Sequence, residues 1–158
     1  MILITGGSGY IGSHAAVELL RLGENIIILD NLSNSSEISI KNIRKISNKE
    51  FKFIKGDLKD TNLLNKIFRE FKISTVFHFS GLKSISESIV NPIDYYLNNV
   101  SATIELLKVM EKYKVYELIF SSSATVYDSE NEVPWKETYS TQKYKQPYAE
   151  NKIIIENL

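Results

Sequence analysis

The sequence predicts an α/β protein with a doubly wound parallel sheet of about five strands in the order 3-2-1-4-5. Three observations carry that expectation. The 158 residues, 43% hydrophobic and 24% charged, match one ordinary globular domain with a buried core. Short apolar runs alternate with helical periodicities along the whole chain. Four of the seven glycines (Gly6, Gly7, Gly9 and Gly12) crowd into seven positions directly after the first apolar run. Strands that are apolar runs, rather than in/out alternations, indicate a parallel sheet covered on both faces. Right-handed crossovers and the usual doubly wound connectivity then give the strand order.

Taken in order, Ile2-Leu3-Ile4 is a buried strand stopped by glycine. Tyr10 to Leu22 has helical spacing, with Ile11, Ala15, Leu19 and Leu22 on one face and Gly23 where a C-terminal glycine belongs. Ile26 to Leu29 is the second strand and completes a βαβ unit. A Ser/Asn-rich stretch from Asn31 to Ser39 leads into a helix ending near Ile46, a strand at Phe51 to Ile54 and a helix from Asn62 to Phe71. Thr75 to Phe79 is the fourth strand. The longest helix runs from Asp94 to Tyr113, with Tyr96, Val100, Thr103, Leu107 and Met110 as its apolar stripe. Leu118-Ile119-Phe120 is the fifth strand, and Pro147 opens a last helix, a favourable place for proline. No repeat, linker or internal boundary stands out.

Composition excludes several function classes. Nineteen Lys+Arg balance nineteen Asp+Glu, so no global field is available to hold nucleic acid or an anionic membrane. The absence of cysteine removes disulfides, thiolate catalysis and Cys-based metal sites, and two histidines, His14 and His78, make no His-rich metal site. The longest aliphatic run, Ile26 to Leu29, is far short of the roughly 20 residues that span a bilayer. The N-terminus is uncharged until Glu18 and interrupted by glycine from Gly6, unlike a signal peptide, so a cytoplasmic location is expected.

Gly6-Gly7-Ser8-Gly9-Tyr10-Ile11-Gly12 has the spacing G-x-x-G-x-x-G between a strand and a helix. In that position the spacing has a mechanism. The chain turns tightly, its backbone can approach a pyrophosphate, and the helix N-terminus offers free N–H groups and a positive dipole. Asp30 follows Gly12 by eighteen residues, at the end of the second strand, where a carboxylate binds a ribose 2′-hydroxyl. It would repel a 2′-phosphate, and no arginine lies beside it, so NAD is favoured over NADP.

Tyr148 and Lys152 are four apart on the last helix and share a face. A phenol with an ordinary pKa near 10 is a poor base at neutral pH, but an adjacent ammonium favours the phenolate. The spacing alone is common by chance. It gains meaning behind a nucleotide fingerprint, with Ser121-Ser122-Ser123 at the C-terminal end of strand five, where ligands of such sheets bind. His14 and His78 are expected to be packed and hydrogen-bonded, and Tyr95-Tyr96 and Phe51/Phe53 to belong to core or interface.

Together these residues resemble the UDP-glucose 4-epimerases, a family of extended short-chain dehydrogenases/reductases built on a Rossmann-type fold. The resemblance rests on Thr5 to His14, Asp30-Asn31-Leu32, Gly56-Asp57, His78-Phe79-Ser80-Gly81-Leu82-Lys83, Asn98-Asn99-Val100, Ser121 to Tyr127, and Pro147-Tyr148 with Lys152. It implies a tightly held NAD and interconversion of UDP-glucose and UDP-galactose. Tyr148 would take the proton of the sugar 4-hydroxyl as hydride leaves C4, and the 4-keto sugar would turn over before hydride returns. Ser123 would hydrogen-bond the 4-oxygen, and Lys152 would lower the Tyr148 pKa while holding the nicotinamide ribose.

By the same resemblance Gly6, Gly9, Tyr10, Ile11 and Gly12 approach the pyrophosphate. Asp30, Asn31, Leu32, Ser33, Asn34 and Ser35 surround the adenosine ribose, and Asp57 and Leu58 border the adenine. Phe79, Ser80, Gly81, Leu82, Lys83 and Asn98 line the rest of the cofactor groove, with Lys83, Ser123 and Tyr148 also meeting the substrate. No metal is implied. A homodimer packed through helices 94–113 and 148–158 is.

Ser80 stands where the family usually has alanine, and Asp128 where a glycine follows Val-Tyr; neither change removes a catalytic group. Related 4,6-dehydratases carry an Asp-Glu pair where this chain has Ala124 and Thr125, which favours epimerisation. Family chains run about as long again, with a smaller C-terminal domain that grips the uridine nucleotide. Residues 1–158 are therefore expected to be a truncated NAD-binding domain with an incomplete sheet, an exposed edge at strand five and impaired activity. Two other readings stay open: a non-catalytic NAD-binding remnant or half of a split enzyme, and another nucleotide-sugar epimerase or reductase of the superfamily.

Overall fold

In the computed structural model, which describes residues 1–141 and 146–158, the expected apolar runs form β1 (Ile2–Thr5), β2 (Ile26–Asp30), β3 (Lys52–Lys55), β4 (Thr75–His78) and β5 (Glu117–Phe120). All pair in parallel, in the order β3-β2-β1-β4-β5. Every residue of the central β1 and β2 is buried, whereas the outer β3 and β5 carry exposed positions. β5 is the last strand on its side of the sheet, and Ile119 on it is 46% exposed.

The chain forms two compact units, Met1–Ser80 with Ile104–Ser121, and Gly81–Thr103 with Ser122–Leu158. Each is made of two separate segments, so no linker marks either in the sequence. The first contains the sheet. There Ile2 and Ile4 of β1 and Ile26 and Ile28 of β2 meet Ala16, Val17 and Leu20 of α1 (Tyr10–Arg21) and Ile40 and Ile43 of α2 (Glu37–Ser47). The alternate residues Leu3, Ile27 and Leu29 are equally buried, as strand periodicity requires of a sheet covered on both faces. α3 (Thr61–Glu70) buries Leu64, Ile67 and Phe68.

Two helical faces differ from expectation. In α1 the buried residues are Gly12, Ala16, Val17 and Leu20, while Ile11 and Leu22 are exposed. The cause is Gly12, which has no side chain and lies directly on the glycine loop, turning that face inward. Gly23, at φ +88°, still closes the helix. The single helix expected over 94–113 is three elements: α5 (Pro92–Tyr95), a π-helical turn (Tyr96–Ser101) and α6 (Ala102–Lys112), preceded by an unforeseen α4 (Ile85–Val90). The wider turn shifts the helical phase. Tyr95, Asn99, Ala102, Thr103, Leu106, Val109 and Met110 are buried, and Tyr96, Val100 and Leu107 only half-buried.

The second unit contains α4, α5, the π turn, a short 3-10 turn (Ala124–Val126) and α7 (Pro147–Glu156), which packs on all four. Pro147 occupies the first turn of α7, as expected. No helix among the described residues is long and apolar enough to cross a membrane.

Candidate functional site

In the first unit the loop after β1 turns on Gly6, whose φ is +69° and whose N–H donates to Leu29 O at 2.9 Å. A side chain there would put its Cβ 2.6 Å from Ser80 N. At Gly12 a Cβ would lie 2.3 Å from Gly6 O and 2.8 Å from Gly7 Cα, so only glycine lets the helix start against the loop. Gly9 is the N-cap of α1, no side chain caps the helix, and its first turn holds no acid. Tyr10 and Ile11 are exposed there. The first N–H groups of such a helix have no intrahelical partner, which suits an anionic group.

Asp30, 9% exposed at the end of β2, ties this loop to the next. Its carboxylate accepts from Ser8 N at 3.0 Å, Leu32 N at 2.9 Å and the Ser35 hydroxyl at 3.1 Å. The Ser8 and Ser35 hydroxyls are themselves 2.7 Å apart. Asn31 donates to Asp57 at 2.9 Å, and Lys59 N donates to the other Asp57 oxygen at 2.9 Å. Ser33 N donates to Asn31 at 2.9 Å; Ser33 and Asn34 are exposed, whereas Leu58 is buried among core residues. Glycine loop, Asp30 to Ser35 and Asp57 thus form one connected polar set.

His78 is 1% exposed, its Nδ1 2.6 Å from Thr5 Oγ1 and its ring stacked on Phe120, the packed role expected of it. His14 is not packed. It is exposed on α1, donating from Nδ1 to Tyr10 O at 2.8 Å beside the Tyr10 ring, because the first turn of α1 faces outward on that side. Phe79 N donates to Thr5 O at 2.9 Å, and Phe79 and Ser80 are half-buried.

In the second unit, Gly81 to Lys83 is held by a residue that sequence reasoning passed over. Asn99, 3% exposed, accepts from Leu82 N at 2.7 Å and donates to Leu82 O at 3.0 Å. Its neighbour Asn98 donates instead to Asp94 O at 2.8 Å, and Lys83 is exposed. The Asn98-Asn99 pair was the signal, but only the π turn decides which amide faces inward.

Ser123 is the N-cap of the 3-10 turn, its oxygen accepting from Thr125 N at 3.3 Å and the Thr125 hydroxyl at 3.0 Å. With both lone pairs engaged, the Ser123 hydroxyl is disposed to donate. Tyr148 and Lys152 are buried one turn apart on α7, with Lys152 Nζ 5.9 Å from the Tyr148 ring centroid. Burial lowers the Lys152 pKa to about 8, and the Glu156 carboxylate opposes that shift. Because α7 packs on the 3-10 turn, the unit brings the Ser123 segment against the helix carrying Tyr148 and Lys152. A hydroxyl donor, a phenol and an ammonium together can move a proton to and from a hydroxyl or carbonyl oxygen.

The family model described as GDP-mannose 4,6 dehydratase matches residues 3–158. The UDP-glucose 4-epimerase of Haemophilus influenzae is 46% identical over 157 residues, 99% of this chain and 46% of that protein. A UDP-glucose 4-epimerase from Bifidobacterium longum, solved with NAD+ and UDP, superposes with a TM-score of 0.96 at 42% identity, covering 99% of this chain and 47% of that one. Another, from Stenotrophomonas maltophila with bound NAD and formylated UDP-arabinopyranose, gives 0.94 at 40% identity, covering 99% and 46%. The chain spans about half the length of the relatives it matches.

Proposed function

This chain belongs to the extended short-chain dehydrogenase/reductase family, matched by the GDP-mannose 4,6 dehydratase model, and we propose that it is the NAD-binding and acid–base half of a UDP-glucose 4-epimerase. The observation that carries the reading is the Ser123, Tyr148 and Lys152 arrangement, in a chain that also has an uncapped helix N-terminus behind a glycine loop. The glycine loop and the first turn of α1 fit a diphosphate, and Asp30 with Ser35 fits a ribose. The remaining half of such an enzyme, with its grip on the uridine nucleotide, lies outside these residues.

NAD, when bound, supplies reversible oxidation at the sugar C4. Tyr148 takes the 4-hydroxyl proton and later returns it. Ser123, fixed by Thr125, donates to the 4-oxygen and orients the 4-keto sugar. Lys152 stabilises negative charge on the Tyr148 oxygen. Lys83, exposed after Gly81, is placed to meet the sugar nucleotide. Dehydration is disfavoured because the turn after Ser123 offers Ala124 and Thr125, neither of them an acid, and Thr125 is already bonded to Ser123. A homodimer would pack through the segments 94–113 and 148–158, where Leu97 contributes exposed apolar surface.

The test is a chimera joining this chain to the C-terminal half of the H. influenzae relative, assayed with UDP-galactose. Turnover is expected, with Tyr148→Phe lowering it by about 10³-fold. The 158-residue chain alone is expected to turn over slowly, since remote binding energy supports the chemical step. Undiminished turnover in Tyr148→Phe, in a chimera that binds NAD, would overturn the assignment.

A further inference from the structure

We propose that Tyr95 and Asn99 are positioning residues for Lys83: from one helical face they clamp the backbone on both sides of it, so that its ammonium is presented at a fixed place to a diphosphate. The inference rests on the reading of Lys83 as a ligand-binding residue given above, and deepens it.

Tyr95 and Asn99 are four apart and share a face, and both are buried, at 0% and 3% exposure. Asn99 engages Leu82 with both ends of its amide, Oδ1 accepting from Leu82 N at 2.7 Å and Nδ2 donating to Leu82 O at 3.0 Å. The Tyr95 hydroxyl accepts from Ser84 N at 2.9 Å and donates to Glu87 Oε2 at 3.0 Å. Lys83 is the one residue between these two held neighbours, and it is exposed.

The segment is built for the approach. At Gly81 a Cβ would lie 3.1 Å from Asn99 Oδ1, closer than ordinary contact, so glycine lets the amide come up to the chain. Ser84 has a second hold as the N-cap of α4, its oxygen accepting from Glu87 N at 3.3 Å. Glu87 thereby fixes both Ser84 and the hydroxyl that binds Ser84.

Solvation alone does not account for two buried side chains spent in this way. Leu82 and Ser84 are only half-buried, where water can serve a backbone N–H or C=O. Water cannot fix a position. A lysine loses much rotamer freedom when it is ordered on a ligand, and a backbone already held in place lowers that cost.

The experiment is a double-mutant cycle read by calorimetric titration of the chain with NAD, whose diphosphate is the probe. Lys83→Ala is expected to weaken binding by about tenfold. Tyr95→Phe, which keeps the buried ring, should weaken it by about fivefold in the parent chain but by less than about twofold in Lys83→Ala, where no ammonium is left to position. A residue that only supports the fold would cost the same factor in both backgrounds, and that result overturns the proposal. Unchanged affinity in Lys83→Ala or in Tyr95→Phe overturns it equally. Should Tyr95→Phe fail to fold, the cycle is run with Asn99→Ala, and equal factors in both backgrounds again overturn it. If the parent chain binds NAD, any of these results leaves the epimerase reading standing. A parent chain that binds no NAD counts against that reading and removes this inference with it.

Discussion

Replacing Gly12 with alanine tests whether α1 is pressed against the glycine loop as the fold requires. The added methyl would sit 2.3 Å from Gly6 O and 2.8 Å from Gly7 Cα, against ordinary contact at 3.4–4 Å. Both obstacles are backbone, so no side chain can swing aside, and helix and loop must part by about 1 Å. Overpacking of this kind costs about 1–3 kcal/mol, and a rigid backbone neighbour puts Gly12 at the upper end. Alanine's helix preference returns about 1 kcal/mol. The net loss is about 2 kcal/mol, a fall in Tm of about 4–8 °C for a chain of this size. NAD affinity should fall with it, because the loop and the helix N-terminus separate. Gly9→Ala is the control: its Cβ would meet only Gly6 O, at 3.3 Å, and its φ is −71°. Denaturant unfolding and NAD calorimetry read both variants. Gly12→Ala matching the parent in stability and affinity would refute the packing argument.

Asp30→Ala should weaken NAD binding by about tenfold or more, since it removes the ribose acceptor and strands the buried Ser8 N–H and the half-buried Leu32 N–H; Ser35→Ala should cost only a few-fold. Equal losses by calorimetry would undercut the ribose assignment. Lys152 lies below its ordinary pKa of 10.5, at about 8, so between those values the unfolded chain binds the extra proton and stability rises with pH. Lys152→Met should therefore be the more stable protein at pH 7, by at most about 3 kcal/mol, with the gap to the parent narrowing from pH 8 to 10. Thermal melts across that range check it, below the window in which Tyr96, raised to about 12, loses its proton. A gap that widens with pH would contradict the burial of a charged lysine.

Much of this arrangement is legible in the residues. Parallel strands announce themselves as apolar runs, and the crossover rule orders them. The glycine spacing carries its reason on its face, since Gly6 needs a positive φ and Gly12 a close approach. Harder to read was helical phase. Ile11 and Leu22 share the α1 periodicity yet are exposed, because contact at Gly12, not hydrophobicity, turns the helix. The π turn at Tyr96–Ser101 moves Tyr95 and Asn99 inward in place of Tyr96 and Val100, and no spacing rule marks such a turn. Ser8, Asn99 and Thr125 act through hydrogen bonds formed only on folding, so composition and spacing could not single them out.

The central claim is that these residues hold NAD and select it by Asp30. Calorimetric titration of the purified chain with NAD and with NADP tests it most directly. The account predicts saturable binding of NAD and affinity for NADP weaker by roughly tenfold or more, because the Asp30 carboxylate repels a 2′-phosphate. No heat of binding with NAD, or NADP bound as tightly, would contradict it.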